Sequence, residues 1–154
     1  MKVFLAIMLA LSMCGQAFAY DKTLAASYES YFAAFDGHNI PKALRQVPAA
    51  KIIEMIRAKE DFVIIDVRTR DEQSVVAINY MNTLHIPMNE IFREKNLARI
   101  PKDRKVILTC KSGLRCTIIT LALHHAGFDN VYAMQGGIAE LHRSIGATTR
   151  FRAN

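Results

Sequence analysis

Cysteine is scarce in this chain: three residues in 154, at positions 14, 110 and 116. So few thiols exclude a disulfide-stapled scaffold, and the fold must rest on an apolar core. Runs of Lys and Arg interleaved with aromatics are also missing. The basic residues are scattered, which argues against nucleic acid as a partner. The histidines at 38, 85, 124, 125 and 142 share no ligand spacing with one another or with the cysteines, so no metal site is expected. His124 and His125 instead stand near a helix C-terminus, where the dipole field favours them. No repeat or low-complexity tract occurs, and no apolar run reaches the roughly 20 residues that a membrane span needs.

The composition that remains is 51% hydrophobic, enough for one compact domain with a core of its own. Lys and Arg total 20 against 14 Asp and Glu, a formal +6. That excess suits a small anionic substrate or an acidic surface as partner. The start is a separate kind of sequence. "MKVFLAIMLALSMCGQAFAY" has one basic residue, Lys2, then an apolar run over residues 3–13 and an Ala-Phe-Ala end. These are the parts of a secretory signal peptide. Cleavage near Ala19 and an exported, periplasmic mature chain that does not span the membrane are expected. An uncleaved anchor is one alternative. Lipidation at Cys14 is another, with the bulk of Met13 against it. Loss of residues 1–19 leaves Cys110 and Cys116, which either pair or keep at least one usable thiol.

The mature chain alternates strands with helices. "LAASYESYFAAF" (24–35) reads as an amphipathic helix with Tyr28, Tyr31, Phe32 and Phe35 towards one side, packed on the main domain, and "DGHNIP" (36–41) breaks it. "AAKIIEMIRAKE" carries Ile52, Ile53 and Ile56 at helical spacing. Residues 62–65 form a continuous apolar run, the mark of a strand buried on both faces of a parallel sheet. Further strands are expected at 83–87, 105–110 and 130–134. Helices are expected from Asn89 as cap, over 115–126 closed by Gly127, and over 138–145. The fold class is therefore α/β, a mostly parallel sheet flanked by helices, with an extra N-terminal helix.

That layout gives "ILTCKSGLRCTII" (107–119) its chemistry. In open α/β sheets, sites form beyond the carboxyl ends of the strands. Cys110 ends a strand and Arg115 opens the next helix, so the amides of Lys111, Ser112, Gly113 and Leu114 can curl around whatever Cys110 carries. A helix N-terminus offers positive potential and free N–H donors, which lowers a thiol pKa and holds an anion. Gly113 permits the curl, and Lys111 and Arg115 add full positive charge.

Four stretches together resemble a single-domain rhodanese, a thiosulfate sulfurtransferase-like protein. They are "IIDVR" (64–68), "HIP" (85–87), "CKSGLR" (110–115) and "AGFDNVYAMQGGI" (126–138). The match covers about residues 47–145. It implies residues 1–19 as leader, 20–46 as a helical extension and linker, 47–145 as the rhodanese-like domain and 146–154 as a tail. The resemblance also implies an activity. Cys110 takes the outer sulfur of a small anionic donor such as thiosulfate as a persulfide, and cyanide or a thiol removes it, without metal or organic cofactor. A protein thiol is a further acceptor. Phosphatases and arsenate reductases of this fold carry one more residue in the loop; the four between Cys110 and Arg115 suit a single sulfur atom.

The chain departs from the family pattern in three places. "VVAINYMNT" (75–83) replaces a glycine-bearing segment, Leu141 stands near the place of a tryptophan, and Cys116 follows the loop arginine. Arg115 either binds the anionic donor or ties down the loop through carbonyls and Asp66. Asp66 reads as an organiser of the loop, and Arg68 with Glu72 as an ion pair at the start of a short helix. Lys111 is the candidate for attracting the donor. Cys116 is a small buried side chain, a resolving thiol or a disulfide partner of Cys110; spacing alone does not choose. The alternative to an enzyme is a sulfur-carrier, redox-sensing or docking module with little turnover.

Overall fold

The computed structural model describes residues 20–150. The expected leader, with Cys14 and the cleavage point at Ala19, lies outside them, as do residues 151–154. The chain divides into two compact units, one ending at Asp36 and one beginning at Gly37. The first contains helix α1 (Lys22–Phe32), started by Asp21, whose carboxylate accepts the Leu24 N–H at 3.0 Å. The helix ends before residue 35. Beyond it the chain turns so that the rings of Tyr31, Phe32 and Phe35 meet one another, with centroids 5.1 to 5.3 Å apart.

The second unit runs α2 (Ile40–Ala43), β1 (Gln46–Pro48), α3 (Ala49–Arg57), β2 (Phe62–Asp66), α4 (Arg70–Val75), β3 (Thr83–His85), α5 (Glu94–Leu97), β4 (Lys105–Thr109), α6 (Leu114–His125), β5 (Val131–Gln135) and α7 (Gly137–Arg150). The strands form one parallel sheet in the order β1-β5-β4-β2-β3. Strand side chains alternate between its two faces. Phe62, Ile64, Ile107 and Met134 pack with Ile52, Ile53 and Met55 of α3 and Leu141 of α7. Val63, Ile65, Val106, Leu108 and Ala133 pack with Cys116, Ile119 and Leu123 of α6. Each such Ile, Leu or Phe contributes about 1.5–3 kcal/mol by leaving water. The α/β class, the parallel sheet and the added N-terminal helix are thus as the sequence indicates.

Four details differ from the sequence-based expectation. Strand β1 has no apolar run to announce it; it exists because its backbone pairs with β5 at the sheet edge, where Pro48 is tolerated. Asn89 caps no helix. The chain turns after Pro87, with Ile91 fully buried, and the helix starts only at Glu94. There the buried Asn96 donates through Nδ2 to the Glu90 carbonyl at 2.8 Å, tying turn to helix. The last helix continues through residue 150, so residues 146–150 of the expected tail are helical. Finally, two departures from the family pattern fill the core: Tyr80 stacks on Phe62 at 5.1 Å, and Ile78 and Leu141 join the same cluster.

Candidate active site

Parallel pairing of β2 with β4 sets Asp66 beside Thr109, and the Val67 N–H donates to the Thr109 carbonyl at 2.9 Å. The carboxyl ends of these strands therefore bring residues 66–68 against the loop 110–115. Strand β4 stops at Thr109 and α6 starts at Leu114, so Cys110 to Gly113 form the turn between them. Gly113, at φ +95°, points its N–H at Cys110 Sγ, 3.2 Å away. The start of α7 supports the loop from behind: Ile138 N–H donates to the Cys110 carbonyl at 2.8 Å and Ala139 N–H to the Lys111 carbonyl at 3.1 Å.

The second glycine of the "QGG" turn is what permits this approach. A Cβ on Gly137 would lie 2.3 Å from the Cys110 carbonyl oxygen and 2.8 Å from Gly113 N, at a φ of +58°. Gly137→Ala is therefore expected to lower stability by about 1–3 kcal/mol through backbone strain and to displace the loop amides. Urea unfolding, with the Cys110 thiol titrated in parallel, checks both effects.

The two thiols divide their roles electrostatically. Cys110 is brought down from 9.0 to about 5, chiefly by a hydrogen bond from the Cys116 thiol. Burial opposes this, and the amides of residues 116, 112 and 113 add to it. Cys116 is driven upward by the adjacent Cys110 sulfur and by its own burial. The two shifts make Cys110 the thiolate of the pair before Cys116. The Sγ atoms are 3.6 Å apart, and Cys116 Sγ also lies 3.0 Å from the Gly113 carbonyl and 3.5 Å from that of Met134. Cys116→Ala removes the donor and should raise the Cys110 pKa towards its ordinary value; Cys116→Ser should largely keep it low. Ultraviolet absorbance of the thiolate against pH reads the shift.

The charged partners are not those the sequence suggests. Arg115 does not reach Asp66 and Arg68 does not pair with the Glu72 carboxylate. Arg68 donates to Asp66 instead, through Nη2 at 2.7 Å and Nε at 3.0 Å, and both residues are buried. Its remaining donors meet the backbone carbonyls of Val76 and Glu72. Arg115 grips both oxygens of Glu72, at 2.6 and 2.7 Å. Glu72 was missed as a site residue; its one local signal is the Thr69-x-x-Glu72 capping box, in which it also accepts the Thr69 N–H.

The Arg115 hydrogen bonds hold the Glu72 carboxyl well below its ordinary 4.5, at about 2. A carboxyl depressed on folding stabilises fully above its unfolded pKa and loses that contribution as pH falls towards the folded one. Glu72→Gln should therefore cost about 1 kcal/mol or less at neutral pH for this partly exposed pair. The deficit should shrink between pH 4.5 and 2, which urea midpoints across that range measure.

Lys111, Ser112 and Leu114 are exposed, whereas Cys110, Gly113 and Cys116 are buried. Beside Arg115 an apolar groove of about 620 Å³ is lined by Val67, Met88, Phe92, Ile118 and Ala122. Among the described residues, no three His, Cys, Asp or Glu side chains gather as a metal ion would require, and no helix is long and apolar enough to cross a membrane.

Comparison with known proteins bears on the family and the fold. The family model for the rhodanese-like domain matches residues 48–144. A tRNA uridine(34) hydroxylase of Salmonella newport is 33% identical over 115 residues, 71% of this chain but 31% of that protein. The chain thus spans about a third of the length of such curated relatives. Among solved structures, a rhodanese-related protein of Thermoplasma volcanium is 26% identical with a TM-score of 0.55, over 64% of this chain and 91% of that one. An NAD-dependent persulfide reductase of A. fulgidus is 34% identical with a TM-score of 0.51, over 67% of this chain and 17% of that one.

Proposed function

The chain belongs to the rhodanese-like domain family, and from this we propose that it is a sulfurtransferase working through a persulfide on Cys110. The reading is carried by the Cys110 sulfur at the end of β4, with the Gly113 N–H 3.2 Å and the Cys116 sulfur 3.6 Å away, a setting that brings its pKa down to about 5. In the reaction, Cys110 Sγ attacks the outer sulfur of thiosulfate. The donor's S–S bond breaks, sulfite leaves with the electron pair, and the sulfur remains on Cys110. Cyanide or a thiol then attacks that outer sulfur and Cys110 leaves as thiolate. The loop amides stabilise negative sulfur at each stage, which a low-dielectric site makes more effective. Lys111, exposed on the loop, attracts the anionic donor, and Arg115 contributes charge while anchored on Glu72.

A persulfide reductase among the structural neighbours is in keeping with sulfane-sulfur chemistry on this domain. The tRNA hydroxylase of the Salmonella relative is a protein of which this chain spans 31%, and its tRNA chemistry is not carried over. Export remains part of the proposal, resting on residues 1–19, and N-terminal sequencing of the protein from its host tests it. One observation favours a second reading, that of a slow carrier or redox module: Cys110 is 0% exposed, so the site must open before a donor touches the sulfur. Intact-mass measurement after exposure to thiosulfate separates the outcomes. A sulfur atom gained on Cys110 and lost rapidly to cyanide supports the transferase, a sulfur gained but retained supports the carrier, and a Cys110 left as the unmodified free thiol rejects both.

A further inference from the structure

We propose that Cys116 resolves the Cys110 persulfide, releasing its sulfur as hydrosulfide and leaving a Cys110–Cys116 disulfide. The inference rests on the Cys110 persulfide proposed above and adds an outcome that transfer to an outside acceptor does not include. It starts from the contact of two sulfurs. Cys116 Sγ is 3.6 Å from Cys110 Sγ, already at van der Waals separation, and both residues are buried in one cluster. A disulfide brings such atoms to about 2.05 Å, so closure needs a small movement at the first turn of α6. Cys116 has the shorter path: it already touches Cys110 Sγ, whereas an outside thiol reaches the buried sulfur only when the site opens.

The step balances within the protein. The loop amides hold the outer sulfur of the persulfide as an anion, while Cys116 retains its proton. Cys116 Sγ attacks Cys110 Sγ, and the bond between Cys110 Sγ and the outer sulfur breaks. The outer sulfur takes both electrons of that bond together with the Cys116 proton, and departs as hydrosulfide. The sulfane sulfur is the oxidant and is reduced; the two cysteines end as a disulfide. Charge is conserved and no other base or oxidant is needed. An external dithiol reductant then restores the two thiols by ordinary exchange. Cys116 keeps its proton while Cys110 is the thiolate, which leaves Cys110 as the sulfur that meets the donor first.

The substitutions at position 116 separate resolution from pKa tuning, since serine keeps a hydrogen-bond donor but cannot form the disulfide. The test uses the full chain with Cys14→Ser, so that only Cys110 and Cys116 carry thiols. The protein is reduced, freed of reductant, loaded with thiosulfate or, in parallel, inorganic polysulfide, and desalted. Hydrosulfide is captured with a bimane, and peptide mapping reads the state of each cysteine. The wild-type pair should release one hydrosulfide per loaded chain and finish as the Cys110–Cys116 disulfide. Cys116→Ser should release none and keep its sulfur on Cys110 until cyanide is added.

A wild-type persulfide that stays on Cys110 with Cys116 free overturns the proposal, and this reading does not depend on the variant's folding. Loading by polysulfide but not by thiosulfate overturns only the choice of donor, and resolution is then read on the polysulfide-loaded protein. If neither donor sulfurates Cys110, both proposals fall.

Discussion

Cys110→Ser should abolish thiocyanate formation from thiosulfate and cyanide. The loss should reach about 10⁴-fold or more, the scale on which removal of a single nucleophile is measured. A serine hydroxyl is not ionised at neutral pH by a few amide hydrogen bonds, and an oxygen cannot carry sulfane sulfur onward as a persulfide. Serine nearly preserves the volume of this fully buried position, so the fold should survive, and the unfolding midpoint can be compared with wild type to show that it does. The pH profile of the native chain adds a second constraint. With Cys110 ionising at about 5, the rate of sulfur uptake should be level above that pH and fall about tenfold per unit below it. A profile still rising towards pH 9 would mean that the Cys116 hydrogen bond and the loop amides do not activate the thiol. Residual thiocyanate formation by Cys110→Ser would remove Cys110 from the chemistry altogether.

The second expected result concerns stability. Asp66→Ala should destabilise the domain by about 3–5 kcal/mol, because it leaves the Arg68 guanidinium buried without its counter-charge. Asp66 is 0% and Arg68 4% exposed, and the carboxylate accepts from Arg68 Nε, Nη2 and the backbone N–H. A domain of this size has only about 5–15 kcal/mol of net stability, so a large part of it goes with one carboxylate. Restoring balance is informative. Asp66→Ala combined with Arg68→Leu should recover much of the loss, since no charge is then buried, although the carbonyls of Val76 and Glu72 lose a donor. Urea unfolding of the two single variants and the double variant gives the coupling directly. A loss below about 1 kcal/mol for Asp66→Ala, the range of exposed pairs, would show that water reaches this pair in solution. The damage should also extend to the site: Arg68 fastens α4, and α4 carries Glu72, the partner of Arg115.

Local pattern accounts for much of what was legible. The run at 62–65 could hardly be anything but a buried strand, and Gly127 ends α6 at φ +93° as a helix-closing glycine should. The Cys110 loop announces itself because strand, hinge and helix follow one another within a dozen residues. Where local signals are weak, tertiary contacts decide. Residues 46–48 have no periodicity and become a strand only through β5, and residues 89–93 turn because Ile91 and Asn96 are drawn into the core.

The chain's order of apolar runs, glycines and the Cys110–Arg115 loop settles the fold class and marks the strand end and helix start between which Cys110 lies, because each depends on neighbours within about one turn or one strand. The ionic partners are another matter. Arg115 meets Glu72 across 43 positions of sequence, and Gly137 closes on Cys110 from another element. Which carboxylate faces which guanidinium, how closely two backbones meet, and whether two sulfurs six positions apart come to 3.6 Å depend on how parallel strands stack their carboxyl ends. Coulombic and hydrogen-bond energies change over fractions of an ångström to a few ångströms, a scale that packing sets and sequence spacing does not encode.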